Sequence, residues 1–327
     1  MNAIETKRAR KLSRMVIGAV LVLAVVGVAA RVLESKKVFA SNGVVNSNEA
    51  ASAEIAFASP AAAGLALSQA MASGDLGELT KVIGNDATAL VTTNNAVTDQ
   101  AAMQRFFTKY QQMNRWVGMS DGSQVLYIGA DNFAFPVPLA KNASGAWYFD
   151  AVAGAQEIRA RDIGRNELLA IDALGSIAAA QEIYREYNPS HAFAQRIVSS
   201  AGSQDGLYWP ADARGISPIG YVNEFSPASL DAASAGQPFV ADGYQIRILT
   251  SQSAVARGGA KNYLVDGKMT GGFALLASPV KYGETGIMSF IVDRTGHIHE
   301  ADLGPDTTKL AAAITTYNPD DNWSRIQ

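Results

Sequence analysis

The stretch from Gly243 to Gly304 constrains the fold most tightly, because its short apolar runs are broken by turn residues too often for a helix to form. Tyr244 to Leu249 alternates apolar with polar side chains, the period of a half-buried strand. Tyr263 to Val265, Phe273 to Ala277 and Ile287 to Val292 are apolar enough for three more, so a four-stranded antiparallel meander is expected. Each break carries its own chemistry. Asp266-Gly267 and Thr295-Gly296 accept turn backbones, Pro279 stops ladder pairing, and Gly283 and Gly286 release the chain.

A sheet with one wet face needs a cover on the other. Asn166 to Tyr187 supplies one, with Ala170, Ala173, Ile177, Ala180, Tyr184 and Tyr187 recurring at three- and four-residue steps along a single stripe. Asn166 reads as the N-cap, Glu167 suits the positive end of the helix dipole, and Pro189 marks the stop.

The N-terminus argues about place rather than fold. Residues 1–14 carry five basic side chains against one acid, and Met15 to Ala30 follows with no charge. Those sixteen residues fall short of the roughly 20 that span hydrocarbon, although Val32 and Leu33 extend the run past Arg31. Residues 1–40 therefore read as a signal peptide, cleaved near Val38-Phe39-Ala40, or as a single membrane anchor. The basic cluster keeps the N-terminus inside in either case. Residues 41–56, small and polar, read as a flexible tether.

Without its first 40 residues the chain keeps 19 basic against 28 acidic side chains, a net charge of about −9. Such a field repels phosphate backbones, and nucleic acid is excluded as a partner. There is no cysteine, so disulfides and thiolate chemistry are excluded as well.

Residues 57–160 read as an α+β unit. Ser59-Pro60 opens a helix that ends at Gly74, Asp75 caps a second through Val82, and Asp99 caps a third whose Met103, Phe106, Phe107 and Tyr110 share a face. From Arg115 the period shifts to two, giving strands at Val125 to Ile128, Phe133 to Leu139 and Ala146 to Phe149. This order is similar to the cone-shaped nuclear-transport-factor-2-like domains, whose interior pocket serves many functions. Residues 161–327 form the C-terminal unit of a helix packed on the meander, and the whole is expected to be α+β.

Several islands carry a closer resemblance: FASPAAAGLALSQAM from Phe57, DNFAFPVPL from Asp131, WYFDAVAGAQEIRARDIGRNEL from Trp147, DGLYWP from Asp205, and DLGPDT after the meander. Together, over roughly residues 57–323, they resemble the bacterial family catalogued as domain of unknown function 2950. The resemblance implies an exported envelope protein and supplies neither an activity nor a catalytic residue. The C-terminal half also looks faintly like the globular part of type IV pilin and pseudopilin subunits, through GIMSFIVDRTGHI. Pilins run their apolar helix straight into that sheet, whereas about 130 residues intervene here.

No motif for nucleotide binding, serine-elbow hydrolysis or zinc proteolysis is present, and no cofactor is expected. His297 and His299 share a strand face and, with Glu300 or Asp302, could approach a metal; a surface strand end is the plainer reading, and no metal site is assigned. His191, after Asn188-Pro189-Ser190, reads as a loop residue. Arg159, Arg161 and Arg165 could hold a carboxylate or sugar acid, or could pair with Glu157, Asp162 and Glu167 to fix the junction of the two halves. Asp205, Tyr208, Trp209 and Pro210 suggest a loop whose aromatic pair either stacks on a glycan or partner protein or plugs the sheet. Asp302, Asp306, Asp320 and Asp321 lack the spacing of a calcium loop.

The expected function is a noncatalytic binding or assembly role in the periplasm, free there or anchored in the inner membrane, with an envelope protein or glycan as partner. The alternative is a small-ligand binder or hydrolytic enzyme using a pocket in the N-terminal unit, with Asp131, Tyr148 or Asp150 as polar contacts.

Overall fold

The computed structural model describes residues 55–93, 95–211, 215–223 and 225–326, so the leader and nearly all of the tether lie outside the described residues. The chain is α+β and divides into two compact units, one ending at Arg161 and one beginning at Asp162.

In the first unit the caps act as local chemistry dictates. Ser59 accepts from the Ala62 amide to open α1 (Pro60–Ser73), and the left-handed Gly74 (φ 68°) ends it. Asp75 accepts from Gly77 to open α2 (Leu76–Ile83), and α3 (Asn85–Val91) follows at once. The sequence did not announce α3, because seven residues are too few to display a helical period. α4 runs Ala96–Gln112 and is capped by Asn95, four residues before the expected cap. Asp99 does not cap it. Buried at 3% exposure, it accepts from the amide and hydroxyl of Thr93 and ties down the incoming chain.

Five strands follow: β1 (Asn114–Gly118), β2 (Gln124–Ile128), β3 (Phe133–Ala134), β4 (Leu139–Lys141) and β5 (Trp147–Phe149). They form an antiparallel sheet in the order β1-β2-β4-β5, with β3 on β2. The single strand expected from Phe133 to Leu139 is split because Pro136 and Pro138 have no N–H to give a ladder. The interior is filled. Leu67, Leu126, Ile128, Val137 and Leu139 are fully buried, and Phe135 meets Phe106 and Phe149 edge-to-face, its ring centre 5.4 Å and 6.2 Å from theirs.

The next helix, α5, spans Ala151–Tyr187, starting fifteen residues before Asn166. Residues 151–165 hold no proline and are rich in Ala and Arg, so nothing stops the helix there. The carboxylate of Asp150 accepts from the Ala153 amide at its start. Asn166 is therefore no N-cap, and Glu167 belongs to no first turn.

The second unit contains the rest of α5, then the parallel pair β6 (Arg196–Val198) and β7 (Gly206–Tyr208), and the short helices α6 (Pro218–Val222) and α7 (Pro227–Ser234). Its strands are β8 (Val240–Ala241), β9 (Tyr244–Leu249), β10 (Ser251–Gln252), β11 (Lys261–Asn262), β12 (Leu264–Val265), β13 (Lys268–Met269), β14 (Ala274–Pro279), β15 (Met288–Asp293) and β16 (Ile298–Asp302), followed by α8 (Thr307–Ala313) and β17 (Ser324–Arg325). The main sheet has six antiparallel strands in the order β17-β16-β15-β14-β9-β8. Tyr263 to Val265 does not join it. Asp266 and Gly267, with φ of 49° and 73°, fold β12 back onto β13 as a separate hairpin, and Tyr263 is instead buried in the core.

Register assigns the faces. Leu276 opposes both Arg247 and Ile291, and Ile291 opposes His299, so these side chains share one face. α8 meets that face: the Arg247 guanidinium donates to the Ala311 and Ile314 carbonyls, where the dipole favours a cation. Ile246, Ala277, Phe290 and Glu300 share the other face. On α5, Glu167 reaches the start of β15 and accepts from the amides of Ile287 and Met288, both at 3.0 Å. Asn166 donates to the Thr285 carbonyl at 3.0 Å. Fully buried Gln181 exchanges two hydrogen bonds with the backbone of Ala194, at 2.8 and 2.9 Å. The helix is thus held to the rest of the second unit at several points along its length.

Candidate functional site

A cleft of about 300 Å3 opens in the second unit between α5, the segment joining α6 to α7, and the β8–β9 turn. Its floor is apolar, from Ala173, Phe225 and Ala241, all buried. Its rim carries Asp172, Asn223, Ser226, Ser229 and Asp242.

Local rules place each rim residue. Asp172 lies one turn from Leu169 on the same face of α5, so both reach the cleft. Asp242 and Gly243 have φ of 49° and 79° and make the two-residue turn that pairs Ala241 with Tyr244. Gly243 is confined to glycine on a second ground, since a Cβ there would come 2.8 Å from the Thr285 side chain. Ser226 caps α7, accepting from the Ser229 amide, and the two hydroxyls lie 2.8 Å apart. Asn223 ends α6 and donates its side-chain N–H to the Ser176 hydroxyl at 3.1 Å. Phe225 is braced by Phe239 edge-to-face, 5.1 Å between ring centres.

The electrostatics of the cleft are one-sided. Partial burial pushes the Asp172 carboxyl above its ordinary range, and no cation among the described residues pairs with it. Among the described residues the rim therefore holds carboxylates, hydroxyls and an amide, and no Lys, Arg or His.

The polar side chains elsewhere in this unit hold structure. The His299 ring lies 3.4 Å from the Tyr317 hydroxyl, and burial, helped by nearby Arg325, pushes it below its ordinary value. Tyr263 donates to Gln252 at 2.7 Å, and Gln252 donates to the carbonyls of Arg257 and Gly259, fastening that loop. Burial raises both Tyr263 and Tyr317, so neither is a ready base. His297 meets Arg325, while Glu300 points to the face opposite His299. Asp302 takes the Tyr282 hydroxyl and the Gly304 amide, and Asp320 takes the Asn322 amide. No group of three or more His, Asp or Glu among the described residues could hold a metal ion.

The residues singled out from the sequence do not converge. Arg161 pairs with Glu157 at 2.9 Å and donates to the Ala134 carbonyl, and Arg165 pairs with Asp162 at 2.7 Å. Arg159 forms no ion pair among the described residues, and Glu167 accepts from the Ile287 and Met288 amides. Trp209 is buried and donates to the Gly215 carbonyl at 3.2 Å; Tyr208, half-buried, packs against the core. Asp205 is a loop clasp. Desolvation pushes its carboxyl up, but the hydroxyls of Ser203 and Ser200 and the Ser200 amide outweigh this and hold it at about 2. In the first unit Asp131 pairs with Lys109 at 2.6 Å and Asp150 caps α5, so they do not line a common pocket. His191 sits in a left-handed turn (φ 50°) after α5.

Sequence reasoning passed over Asp172, Asn223, Ser226 and Asp242. Ser226-Pro227 was legible as a cap and Asp242-Gly243 as a turn. Their meeting around Phe225 was not, because some 70 residues separate Asp172 from Asp242.

A family model described as "Protein of unknown function (DUF2950)" matches residues 54–326. No curated protein and no solved structure matches the chain, so neither the pilin-like nor the cone-shaped likeness gains support.

Proposed function

The chain belongs to the DUF2950 family, whose function is unknown, and from that premise we propose that it is an exported envelope protein that binds a ligand or partner without transforming it. The observation that carries this reading is the composition of the cleft. It has a polar rim and an apolar floor, the layout of a recognition site, and among the described residues no nucleophile hydrogen-bonded to a base. The hydroxyls of Ser226 and Ser229 face each other, and His191, His297 and His299 all lie outside the lining. Export rests on the basic and apolar character of residues 1–40, which lie outside the described residues. Among the described residues no helix is long and apolar enough to cross a membrane, so an anchor, if retained, belongs to that leader.

A pocket inside the first unit has less behind it. Its interior is packed with Leu126, Ile128 and Val137, and Asp131 and Asp150 are engaged elsewhere.

Two measurements test the proposal. A C-terminal fusion to an enzyme that matures only outside the cytosol is expected to be active, and purified full chain is expected to give no turnover of ester, glycoside or phosphoester substrates above buffer. Cytosolic retention of the fusion, or turnover abolished by Asp172→Asn, would overturn it.

A further inference from the structure

We propose that the cleft between α5, α7 and the β8–β9 turn binds a small polar molecule carrying a primary ammonium group. The inference rests on the binding reading above and names the chemistry of its ligand.

The rim offers more acceptors than donors. The carboxylates of Asp172 and Asp242 accept only. Asn223 gives one of its two N–H groups to Ser176, which leaves its carbonyl oxygen and one N–H for the cleft. Ser226 and Ser229 bond to each other, so one of the pair keeps lone pairs but no free hydrogen. A ligand that satisfies this rim brings several N–H or O–H donors, and an ammonium brings three with a compensating charge. Anions are disfavoured by the same two carboxylates. A bare metal ion fits less well, since no third His, Asp or Glu among the described residues completes a donor set with them.

Shape adds to chemistry. The cleft lies at the small end of ligand sites, which run from about 300 to 1,000 Å3, so it suits a single ring or short chain rather than a polymer. Phe225 and Ala173 offer an apolar floor for the C–H face of such a molecule. The walls are set before any ligand arrives. α5 is fixed through Asn166 to Thr285 and Glu167 to β15, the α6 end through Asn223 to Ser176, and Asp242 by its hairpin turn. Walls fixed in advance spare a ligand the entropy of ordering them.

The test is calorimetric titration of the full chain at pH 7 with glucosamine, ethanolamine and putrescine, against glucose and N-acetylglucosamine as uncharged controls. Saturable binding of at least one amine is expected, with the controls weaker by about tenfold or more. Asp172→Asn and Asp242→Asn are each expected to weaken the amine by about tenfold. Asparagine matches aspartate in size and tolerates the left-handed backbone at 242, so neither change should lower the unfolding midpoint. Failure of all three amines to bind, equal affinity for glucosamine and glucose, or binding indifferent to both substitutions would overturn the inference. Equal binding of neutral sugars leaves the binding reading standing, whereas chemical conversion of a bound probe defeats that reading instead.

Discussion

Glu167 shows how far a residue's role depends on what lies across from it. By its neighbours it is a first-turn acid beside a cap; in the structure it is a buried side chain, 7% exposed, accepting from two successive amides at the start of β15. Removing it leaves the Ile287 and Met288 amides facing a cavity, and a hydrogen bond to a charged group contributes about 1.5–3 kcal/mol. Glu167→Ala is therefore expected to destabilise the second unit by about 2–4 kcal/mol in denaturant unfolding. A loss below about 1 kcal/mol would show that water replaces the carboxylate without penalty. Asp99 and Gln181 follow the same logic: each looks like an ordinary helix residue and each spends its polar atoms on a distant or incoming backbone. Burial of such groups is tolerated only because the partners are met.

Strands were legible where the side-chain period was clean and illegible where turn chemistry competed with it. β9, β14 and β15 stand where alternation and apolar runs put them. The run at Tyr263 to Val265 was misassigned, because Asp266-Gly267 closes a hairpin with the residues just beyond instead of returning the chain to the sheet. The difference is measurable. Leu275 is fully buried in the centre of the sheet, so Leu275→Ala is expected to cost about 2–5 kcal/mol. Val265 is 49% exposed in the detached hairpin, and Val265→Ala should cost less than about 1 kcal/mol in the same urea titration. Similar costs at the two positions would put β12 back into the sheet. The start of α5 was missed for the opposite reason, since no breaker precedes Asn166 and the helix continues back to Asp150 until its carboxylate caps it.

At the scale of the molecule, two separate apolar cores each belong to one unit. Leu126, fully buried in the first, shares no core with Leu275. Amide exchange followed by mass spectrometry is expected to accelerate within β1–β5 in Leu126→Ala, and within the six-stranded sheet in Leu275→Ala. Equal acceleration throughout the chain in either variant would mean that the two units open as one.

Sequence alone determined the α+β class, the caps of α1 and α2, strands β9, β14 and β15 of the main sheet and the acidic balance beyond residue 40, because each follows from the order of neighbouring residues. Tertiary structure decided the rest. It drew Asp172, Asn223, Ser226 and Asp242 into one cleft and turned Glu167 from a helix-end acid into a clasp on β15. The physical reason is separation along the chain. Capping, turns and periodicity act over a few residues, whereas a rim assembled from α5, α7 and a hairpin depends on burial that only the packed sheet and helix create.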